Sequence, residues 1–545
     1  MFAAASLTRQ AGQDAAFDGL PDNGQVPRPI ASAPPGRRTA DPAQTRTALE
    51  VLRPDLLERY DAELPGARAA VLSRLLGALD REPLPGLTGR APGVAAFRHG
   101  VTLRFPAEAA VAFAAPATGL SVELHPPGAA PGATLDDPGT LVRLLWPHAP
   151  LAAEVDNSVA NLALARAGRP AQRLPPPGDP DGLALIEQLA TDGHPLHPCC
   201  RTRGGMSVAD VLAYAPEHSP VIRLRRLRVP AARWYGTAPP VLYAHPWQAG
   251  RLADRYPWLA DDGETGPARP LMSLRTVAPL GGGPHVKTAV DVQMTSAVRT
   301  VSPAAVHNGP RLSALLRAIT ADLPIGMLAE TAAGAVLVDG QPQRSLAFLR
   351  REAPALGAGE TAVPLAVLGA SPVLLSTVID AYDFLGLLGE VLFAPLMTVL
   401  ARGVALESHG QNTLVVLRGG APVRILYRDL GGVRVSPARL RAAGVEAPEL
   451  RGDLPSDDPQ VLRTKLAAAA FGTVAAELIA ALARHRGADP GRLWGIVAAA
   501  VRGAPDAPHL LRDPLPIKAT TAMRLAAHPL DDIWAHVDNP MAAHS

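Results

Sequence analysis

Glu407-Ser-His-Gly-Gln-Asn412 is followed, seventeen residues later, by Asp429. Between them lie two short apolar runs, Thr413 to Leu417 and Val423 to Tyr427, separated by a glycine-containing turn. Two apolar runs joined in this way predict a β-hairpin. If the register is symmetric about the turn, Gln411 lies opposite Asp429. The hairpin would then gather amide, imidazole and carboxylate groups at one of its ends.

Such a gathering of donors on a rigid hairpin is suited to a metal ion. Mg²⁺ prefers a few carboxylates together with phosphate oxygens and water. A solvent-facing end of a strand is the simpler interpretation, but it would not require five polar side chains among the six residues from Glu407 to Asn412. The stretch therefore predicts a site for a metal–nucleotide complex.

The composition is typical of a soluble globular protein. The chain has 545 residues, which is enough for about two to four domains. Hydrophobic residues make up 48% and charged residues 19% of the sequence, which are ordinary values. The formal net charge of +2 gives no argument for a nucleic-acid or a membrane partner, and we expect neither.

Cysteine usage and the apolar segments indicate a location in the cell. The two cysteines, Cys199 and Cys200, are adjacent and cannot join distant parts of a fold, which favours a reducing compartment. The N-terminal residues show no signal-peptide pattern. The window from Phe384 to Ala401 is about long enough to cross a bilayer, but it contains Glu390 and Pro395 and favours a buried helix. We therefore expect a soluble, cytoplasmic protein.

Changes in composition along the chain predict its domains. Residues 1–45 are rich in Pro, Gly, Ala and Asp and are expected to be disordered. Apolar residues at helical spacing predict a helical N-terminal domain over residues 46–185. Strand-like segments predict a β-rich domain over residues 186–380, which would bind ATP phosphates. The hairpin and an Ala/Leu-rich helix predict a mixed C-terminal domain over residues 381–545, and the whole order favours a multidomain α+β fold.

Cationic side chains in the predicted β-rich domain indicate an anionic ligand. They occur in Ser273-Leu-Arg-Thr276, at Lys287 and in Thr295-Ser-Ala-Val-Arg299. The two arginines and the lysine can converge on one face of a sheet, with hydroxyl groups beside them, and a guanidinium offers a planar fork to phosphate or carboxylate oxygens. Each residue alone is an ordinary surface charge, but together they predict a site for a polyphosphate or polycarboxylate. The sequence contains no Gly-x-x-x-x-Gly-Lys-Ser/Thr and no Gly-x-Gly-x-x-Gly between a strand and a helix, so P-loop and Rossmann sites are not predicted.

The block Gly193-His-Pro-Leu-His-Pro-Cys-Cys-Arg-Thr-Arg-Gly-Gly205 contains two histidines and two cysteines within seven residues. Zinc is one interpretation. The proline after each histidine keeps the two imidazoles off a common helix face, so we favour rigid loops that present them to an anionic substrate, with the cysteines structural. Ala244-His-Pro-Trp-Gln248 repeats the His-Pro pair, and there a capping histidine beside a packed tryptophan is an equally good explanation.

Taken in order, these blocks resemble the NRPS-independent siderophore synthetases of the aerobactin-synthetase type. The matching motifs are Gly193-His-Pro-x-His-Pro, Tyr214-Ala-Pro-Glu217, His245-Pro-Trp-Gln248, Ser273-Leu-Arg-Thr276, Thr295-Ser-x-x-Arg299, Glu407-Ser-His-Gly-Gln-Asn412, Arg428-Asp429, and Lys518 with Arg524. The resemblance covers residues from about 190 to the C-terminus. Several motifs in the same order are more specific than any one of them.

The resemblance implies a fold and a reaction. The fold has a helical "thumb", β-rich "fingers" and a mixed "palm" that carries a kinase-like Mg²⁺-binding hairpin, and such proteins are often homodimers. The reaction is ATP-dependent: a carboxylic acid, usually citrate or a relative, attacks the α-phosphate to give an acyl-adenylate and pyrophosphate. An amine, hydroxylamine or alcohol then displaces AMP. Arginine and lysine would shield the like charges and stabilise the charge that develops during transfer.

The resemblance also implies roles for individual residues, with ATP and Mg²⁺ as the cofactors. The ATP site would contain His197, Ser273, Arg275, Thr276, Lys287, Gln411 and Asn412. The carboxylic acid would contact Thr295, Ser296, Arg299 and His409. Mg²⁺ would be held by Glu407, Asp429 and Asn412. The residues expected to act on the reacting groups are Arg299, His409 and Lys287.

One position departs from the pattern, and two rival functions stay open. Where the family commonly has a lysine after the His-Pro-x-His-Pro motif, this chain has Arg201, which keeps the charge but not the geometry. A small-molecule phosphotransferase would also place an Asn and an Asp around a hairpin, but it would need a catalytic Asp shortly before Asn412, where His409 and Glu407 stand. A degenerate member would bind its ligand without turnover.

Overall fold

The computed structural model describes residues 39–115, 117–125, 132–169, 173–295, 297–528 and 531–544. For residues 1–38, the expected disorder of residues 1–45 lies outside the described residues. For residues 42–45 the expectation is wrong, because a helix starts at Pro42. Asp41 caps this helix: its side chain accepts the backbone N–H of Gln44, whose own side chain accepts the backbone N–H of Asp41. Residues 42–45 are therefore helical, where disorder was predicted.

The N-terminal domain is not only helical, which corrects the prediction for residues 46–185. Its helices are Pro42–Leu52, Leu57–Arg81, Pro138–Leu145 and Leu151–Ala167. Its strands are Leu87–Ala91, Val94–Phe97, Thr102–Arg104, Val122–His125 and Ala133–Leu135. The strands form an antiparallel sheet in chain order. Short strands of three to five residues with mixed burial give a weak periodic signal, so the helical spacing dominated the sequence pattern.

The middle of the chain is rich in strands, as predicted. Its strands are Arg225–Arg228, Trp234–Gly236, Val241–Ala244, Ala260–Glu264, Ala268–Pro270, Thr276–Pro279, His285–Thr288, Val290–Met294, Ala297–Arg299, Ile325–Met327, Glu330–Val338, Gln341–Arg351 and Glu360–Pro364. Its helices are Gly182–Gln188, Val208–Tyr214, Pro246–Arg255, Pro303–Ile319, Leu365–Ala370 and Pro372–Thr377. The predicted α+β, multidomain architecture is confirmed.

Lys287 lies on a strand in the centre of this region. The strand His285–Thr288 is paired on one side with Thr276–Pro279 and on the other with Gln341–Arg351, within a six-stranded sheet. The chain leaves this sheet at Ala289, and Val290–Met294 pairs instead with Ala297–Arg299. The alternating apolar residues from Val286 to Met294, which are typical of one continuous strand, are therefore divided between two strands in two sheets.

The C-terminal domain combines helices with the predicted hairpin. Its helical segments are Ala381–Leu388, Gly389–Phe393, Ala394–Ala401, Pro437–Ala442, Pro459–Ala469, Ala470–Ala475, Ala476–Arg486, Pro490–Val501, Ala507–Arg512 and Thr520–Leu525. Its strands are Val404–Ala405, Thr413–Arg418, Ala421–Tyr427, Arg434–Val435, Leu515–Lys518 and Trp534–Val537. Gly389–Phe393 and Ala470–Ala475 are π-helical turns within longer helices.

The hairpin has the predicted register. Thr413 faces Tyr427 across strands Thr413–Arg418 and Ala421–Tyr427, and the N–H of Arg428 donates to the carbonyl of Asn412 at 3.0 Å. Continuing this register by one residue places Gln411 opposite Asp429, as expected. The hairpin is the centre of a four-stranded sheet whose outer strands, Ile325–Met327 and Glu360–Pro364, come from before the predicted boundary at residue 380. That boundary is therefore wrong, because it divides a continuous sheet.

Two helical stretches of the described residues are long and apolar enough to cross a membrane. They are Ala381–Ala401 and Pro459–Arg486, with mean hydropathies of 2.0 and 1.9. In both, most of the apolar window is buried inside the protein (61% and 72%). Core helices of soluble proteins pass the same test, so the two stretches are weak evidence for a membrane span. Leu385, Leu388 and Phe471 belong to the largest hydrophobic core of the molecule.

A buried ion pair connects the hairpin to a helix far away in the sequence. The guanidinium of Arg428 donates to the carboxylate of Glu187 at 2.6 Å, and both side chains are almost fully buried. The same guanidinium donates to the carbonyl of Gln411, while Glu187 accepts the N–H of Met272. This network ties the end of the hairpin to the strand-rich region. Loss of Glu187 would leave the charge of Arg428 in the interior without an acidic partner.

Replacing Glu187 with alanine is expected to lower the free energy of unfolding by about 3–5 kcal/mol, because it leaves the Arg428 charge buried and unpaired. Urea denaturation followed by circular dichroism would measure the loss. Glu50→Ala is the matched control, since Glu50 pairs with Arg46 on the surface and such pairs contribute less than about 1 kcal/mol. Equal losses in the two variants would contradict the assignment.

Candidate functional site

A cavity of about 680 Å³ lies where the strand-rich region, the hairpin and the C-terminal helices meet. Its walls contain nearly all the described residues that the sequence singled out: His194, His197, Ser273, Arg275, Lys287, Thr295, Arg299, Glu407, His409, Gln411, Asn412 and Asp429. These residues come from six separate stretches of sequence. Their convergence in one cavity identifies the candidate active site.

The hairpin end supplies Asn412 and Asp429 to this cavity. Asn412 is buried, and its N–H donates to the carbonyl of His409 at 2.9 Å. Asp429 follows the second strand with φ = 66°, a left-handed conformation that is unfavourable for residues with a Cβ. Strain of this kind is concentrated at functional sites. Here it turns the carboxylate of Asp429 towards Lys287 on the neighbouring sheet.

Lys287 and Asp429 form the central ion pair of the site. The Lys287 ammonium is 2.5 Å from the Asp429 Oδ2. Burial opposes ionisation of Asp429, but Lys287 holds the pKa of this carboxyl well below its usual range. Arg275 lies close by; burial and the neighbouring Arg299 together lower its pKa to about 10. The Arg275 Nη1 donates to the carbonyl of Thr300 at 2.5 Å, while its Nε finds no partner among the described residues.

The loop after the strand Val290–Met294 contributes a second strained residue. Thr295 has φ = 51°, although a β-branched residue is rarely found there. Its hydroxyl accepts a 2.5 Å hydrogen bond from Arg299, which fixes this guanidinium on the cavity wall. Burial lowers the pKa of Arg299. The predicted role of Ser296 lies outside the described residues.

Glu407 is surrounded by ammonium groups. Its Oε1 lies 3.1 Å from the Lys518 ammonium and 3.3 Å from that of Lys465. Asp532 bridges the same two lysines from the other side, at 3.3 and 3.2 Å. Burial would raise the pKa of Glu407, but the two lysines hold it at about 2. The carboxylate therefore positions two cations at the cavity wall, which leaves it less available to a metal ion than the carboxylate of Asp429.

The imidazoles of the site are neutral. His197 is buried, His409 is half-buried and His194 is open to the cavity. Partial removal from water lowers the pKa of His409, and burial lowers that of His197. The rings of His194 and His197 meet edge to face at 6.2 Å, and the Nδ1 of His197 accepts the N–H of Cys199. The loop thus presents two neutral imidazoles to the cavity, as expected. Cys199 and Cys200 are buried and free, which agrees with a structural role.

Several residues of the sequence motifs lie outside the cavity. Thr276 is buried in the strand next to Lys287, so a contact with ligand is not supported there. His245 caps the helix Pro246–Arg255 and packs on the Tyr214 ring, which is the structural alternative that the sequence left open. Arg524 forms a buried ion pair with Glu154.

Arg201, the departure from the family pattern, is fully engaged within the protein. Its guanidinium donates to Glu217 at 3.2 Å and to the carbonyl of Thr191 at 2.7 Å. Arg203 shares the same buried carboxylate at 2.9 Å. Although Arg201 borders the cavity, these bonds occupy it, so the structure gives it a role in holding the His-Pro loop in place.

Charged residues that the sequence did not point to also face the cavity, among them Glu330 and Lys465. Glu330 is 3% exposed and lies beside Lys287 and Asp429. Burial raises its pKa to about 7, in spite of the Lys287 charge. Lys465 was hidden in the predicted Ala/Leu-rich helix. The one indication in the sequence that Lys465 has a special role is its position at the start of the otherwise apolar run Lys465-Leu-Ala-Ala-Ala-Ala-Phe471.

The cavity has the donors that a metal–nucleotide complex requires. No group of three or more His, Cys, Asp or Glu side chains in the described ranges could hold a metal ion alone. Mg²⁺ seldom needs such a group, because it binds through one or two carboxylates and takes its remaining ligands from phosphates and water. Asp429 and Asn412 fit this requirement beside the cations Arg275, Lys287 and Arg299. The zinc interpretation of the His-Pro block has no support among the same residues.

Two protein-family models match the chain. The model of the IucA / IucC family matches residues 182–240 and 238–370. The model described as ferric iron reductase FhuF-like transporter matches residues 386–540. Residues 182–370 of the chain therefore resemble the IucA / IucC family. The second match includes no cysteine, so this region lacks the thiolates that ligate an iron–sulfur cluster.

Curated relatives of the chain are synthases and ligases. Staphyloferrin A synthase of Staphylococcus aureus is 27% identical over 427 residues, which cover 66% of this chain and 73% of the relative. A citryl-spermidine/3,4-dihydroxybenzoyl-citryl-spermidine:spermidine ligase of Bacillus anthracis is 26% identical over 45% of this chain and 50% of its own. D-ornithine–citrate ligase of Staphylococcus aureus is 23% identical over 48% of this chain and 51% of its own length.

Solved structures of family members have the same fold. The petrobactin biosynthesis protein AsbB of Bacillus anthracis superposes with a TM-score of 0.72 over 90% of this chain and 97% of its own, at 19% identity. ATP-bound aerobactin synthetase IucA of Klebsiella pneumoniae gives a TM-score of 0.69 over 87% of this chain and 99% of its own, at 20% identity. The cavity described above therefore lies in a fold that is shared over nearly the whole described chain.

Gly432→Ala tests the position of Glu407. A Cβ at residue 432 would stand 1.7 Å from the Glu407 Oε2, so the carboxylate must move away from Lys465 and Lys518. We expect ATP-dependent turnover to fall by about a hundredfold, the cost that a misplacement of about 1 Å can cause. Gly431→Ala is the matched control, since a Cβ there meets nothing within 4 Å. Equal activity of the two variants would show that the Glu407 position is unimportant.

Proposed function

We propose that the protein is an ATP-dependent, AMP-forming ligase of siderophore biosynthesis, which joins a citrate-type carboxylic acid to an amine, hydroxylamine or alcohol. One observation carries the proposal: Arg275, Lys287 and Arg299 line the same cavity as Asn412 and Asp429. A site that brings a polycarboxylate against a triphosphate must neutralise two anions at once. Cations on one side and metal-ligating oxygens on the other meet that requirement.

In the first step, a carboxylate oxygen of the acid attacks the α-phosphorus of ATP. A new bond forms between that oxygen and phosphorus, the bond from the α-phosphorus to the bridging oxygen breaks, and pyrophosphate leaves with the electron pair. Arg275 and Lys287 stabilise the charge on the phosphates. Arg299, held by the Thr295 hydroxyl, is placed to bridge phosphate and carboxylic acid, because its guanidinium can serve oxygens of both.

Asp429 and Asn412 are the residues that would hold Mg²⁺ on the phosphates. When bound, the ion supplies neutralisation of phosphate charge and alignment of the leaving group. The ion pair between Lys287 and Asp429 at 2.5 Å keeps the Asp429 carboxylate ionised in a buried site. Glu407 acts through Lys465 and Lys518, whose ammonium groups it fixes at the cavity wall.

In the second step, the nucleophile attacks the acyl carbon of the adenylate and AMP leaves. The neutral imidazoles of His409 and His194 border the cavity and can accept hydrogen bonds from the entering nucleophile. The names of the relatives support the two substrate classes, since they include a D-ornithine–citrate ligase and a spermidine ligase. The proposal includes cytoplasmic localisation and a homodimer, both by analogy with the family.

Analysis of the nucleotide products tests the reaction. Purified protein would be given ATP, Mg²⁺, a panel of carboxylic acids and excess hydroxylamine as the acceptor. We expect AMP and pyrophosphate to form only with particular acids, together with the corresponding hydroxamate. ADP as the product would favour a phosphotransferase instead. ATP binding without turnover for any acid would make the protein a degenerate member that only binds its ligand.

Asp429→Asn tests the metal site. The substitution keeps the shape of the side chain but removes the charge, so the Mg²⁺ concentration for half-maximal turnover should rise by about tenfold or more. Asp339→Asn is the matched control, because Asp339 also has a positive φ (51°) but is exposed on the turn between strands Glu330–Val338 and Gln341–Arg351. An unchanged Mg²⁺ dependence in Asp429→Asn would assign the metal to other residues.

A further inference from the structure

One carboxylate of the cavity, Glu477, is left without a partner by the chain itself. The carboxylates that line the cavity are Asp192, Glu330, Glu407, Asp429, Asp453 and Glu477. Arginine or lysine pairs with four of them, and Glu330 accepts a backbone N–H from Leu430. Glu477 has neither an ion pair nor a hydrogen bond within the described residues. Burial raises its pKa to about 8, although the charge of Arg74 acts to lower it.

The nearest cation is committed elsewhere. The guanidinium of Arg74 donates to the carbonyls of Pro195 and Asp192 and to the Cys200 Sγ. It therefore serves the His-Pro loop and is not a partner for Glu477. Glu477 is half-buried, and its raised pKa keeps much of it protonated in the absence of a counter-charge. A cation bound in the cavity would supply that counter-charge and favour the ionised carboxylate.

The surroundings of Glu477 are small and apolar. The cavity wall next to it contains Ala366, Ala370, Ala468 and Ala469. Alanine side chains leave space for a ligand and offer it methyl groups without hydrogen-bonding capacity. This part of the wall therefore suits a polymethylene chain that ends in a positive charge.

The backbone holds Glu477 in its position. The π-helical turn Ala470–Ala475 immediately precedes it, and the Thr473 hydroxyl donates to the carbonyl of Ala468, which the wider turn leaves free. A Cβ at Gly369 would stand only 3.0 Å from the Glu477 Cγ, so the helix Leu365–Ala370 packs closely against this side chain. π-Helical turns inside longer helices are frequently found at functional sites.

The same short helix connects Glu477 to the catalytic loop. At one end, the N–H of Ala366 donates to the carbonyl of Gly410, between His409 and Gln411. At the other end, Gly369 touches Glu477. The helix Leu365–Ala370 thus contacts the loop of His409 and Gln411 at one end and Glu477 at the other, and both line the same cavity.

We propose that Glu477 binds the second, non-reacting ammonium group of a diamine-type nucleophile. The inference rests on the proposed ligase function. The unprotonated amine attacks the acyl carbon of the adenylate, a C–N bond forms, the bond from that carbon to the phosphate oxygen breaks, and AMP leaves with the electron pair. The amine releases one proton to solvent. The other end of the diamine stays protonated and forms an ion pair with Glu477.

The experiment compares two nucleophiles and two variants. Diaminobutane carries a second ammonium group, whereas butylamine has the same chain length and lacks it. Hydroxylamine has no alkyl chain and no second ammonium group, so it reports adenylation alone. Wild-type protein should use diaminobutane with a higher kcat/KM than butylamine, measured as acid-dependent AMP release and amide formation. Glu477→Gln should lower kcat/KM for diaminobutane by about tenfold or more, which corresponds to loss of a hydrogen bond to a charged group. Its AMP release with hydroxylamine should not fall.

Glu390→Gln is the matched control, because Glu390 also lies in a π-helical turn but is exposed and does not line the cavity. The inference is overturned if wild-type protein has the same kcat/KM for diaminobutane and butylamine. This comparison does not require a variant. It is also overturned if Glu477→Gln keeps the wild-type preference or loses hydroxylamine-dependent AMP release. Absence of AMP release from wild-type protein with hydroxylamine and every acid would instead overturn the ligase function, and this inference with it.

Discussion

The ion pair between Lys287 and Asp429 joins the two halves of the active site. Its members are 142 residues apart, on a strand of the six-stranded sheet and at the end of the hairpin. Each would be unfavourable alone in a buried site, because an isolated charge loses its hydration there. The pair therefore requires the sheet and the hairpin to dock in one arrangement. Arg299, Asn412 and the cavity between them depend on that arrangement.

Several other charged residues of the protein form ion pairs with one another without any ligand. Glu407 holds Lys465 and Lys518, Glu217 holds Arg201 and Arg203, and Glu187 holds Arg428. Such networks fix the directions of cations before substrates arrive, so little reorganisation is needed when negative charge develops. The groups left partly unpaired then become informative. Among the described residues, the buried Nε of Arg275 has no hydrogen-bond partner and Glu477 has no ion pair.

Local patterns predicted the hairpin, its register and the cation cluster. Alternation of apolar residues and the glycines of the turn are properties of adjacent residues, so Gln411 and Asp429 could be placed opposite each other from sequence spacing. The five-stranded sheet of the N-terminal domain was missed because its strands are too short for a periodic signal. The boundary at residue 380 failed because strand Glu360–Pro364 pairs with the hairpin across it, and pairing between distant segments leaves no mark on either segment.

The sequence by itself determined the type of fold, the family and most residues that line the cavity, because motifs of neighbouring residues carry that information. Only the tertiary structure decided which contacts these residues make within the protein. His245 became a helix cap, Arg201 a buried partner of Glu217, and Glu407 an anchor for two lysines. Glu330, Lys465 and Glu477 acquired their importance from burial and from the presence or absence of a counter-charge. Burial and charge balance are set by residues far away in the chain, and so they arise only when the chain folds.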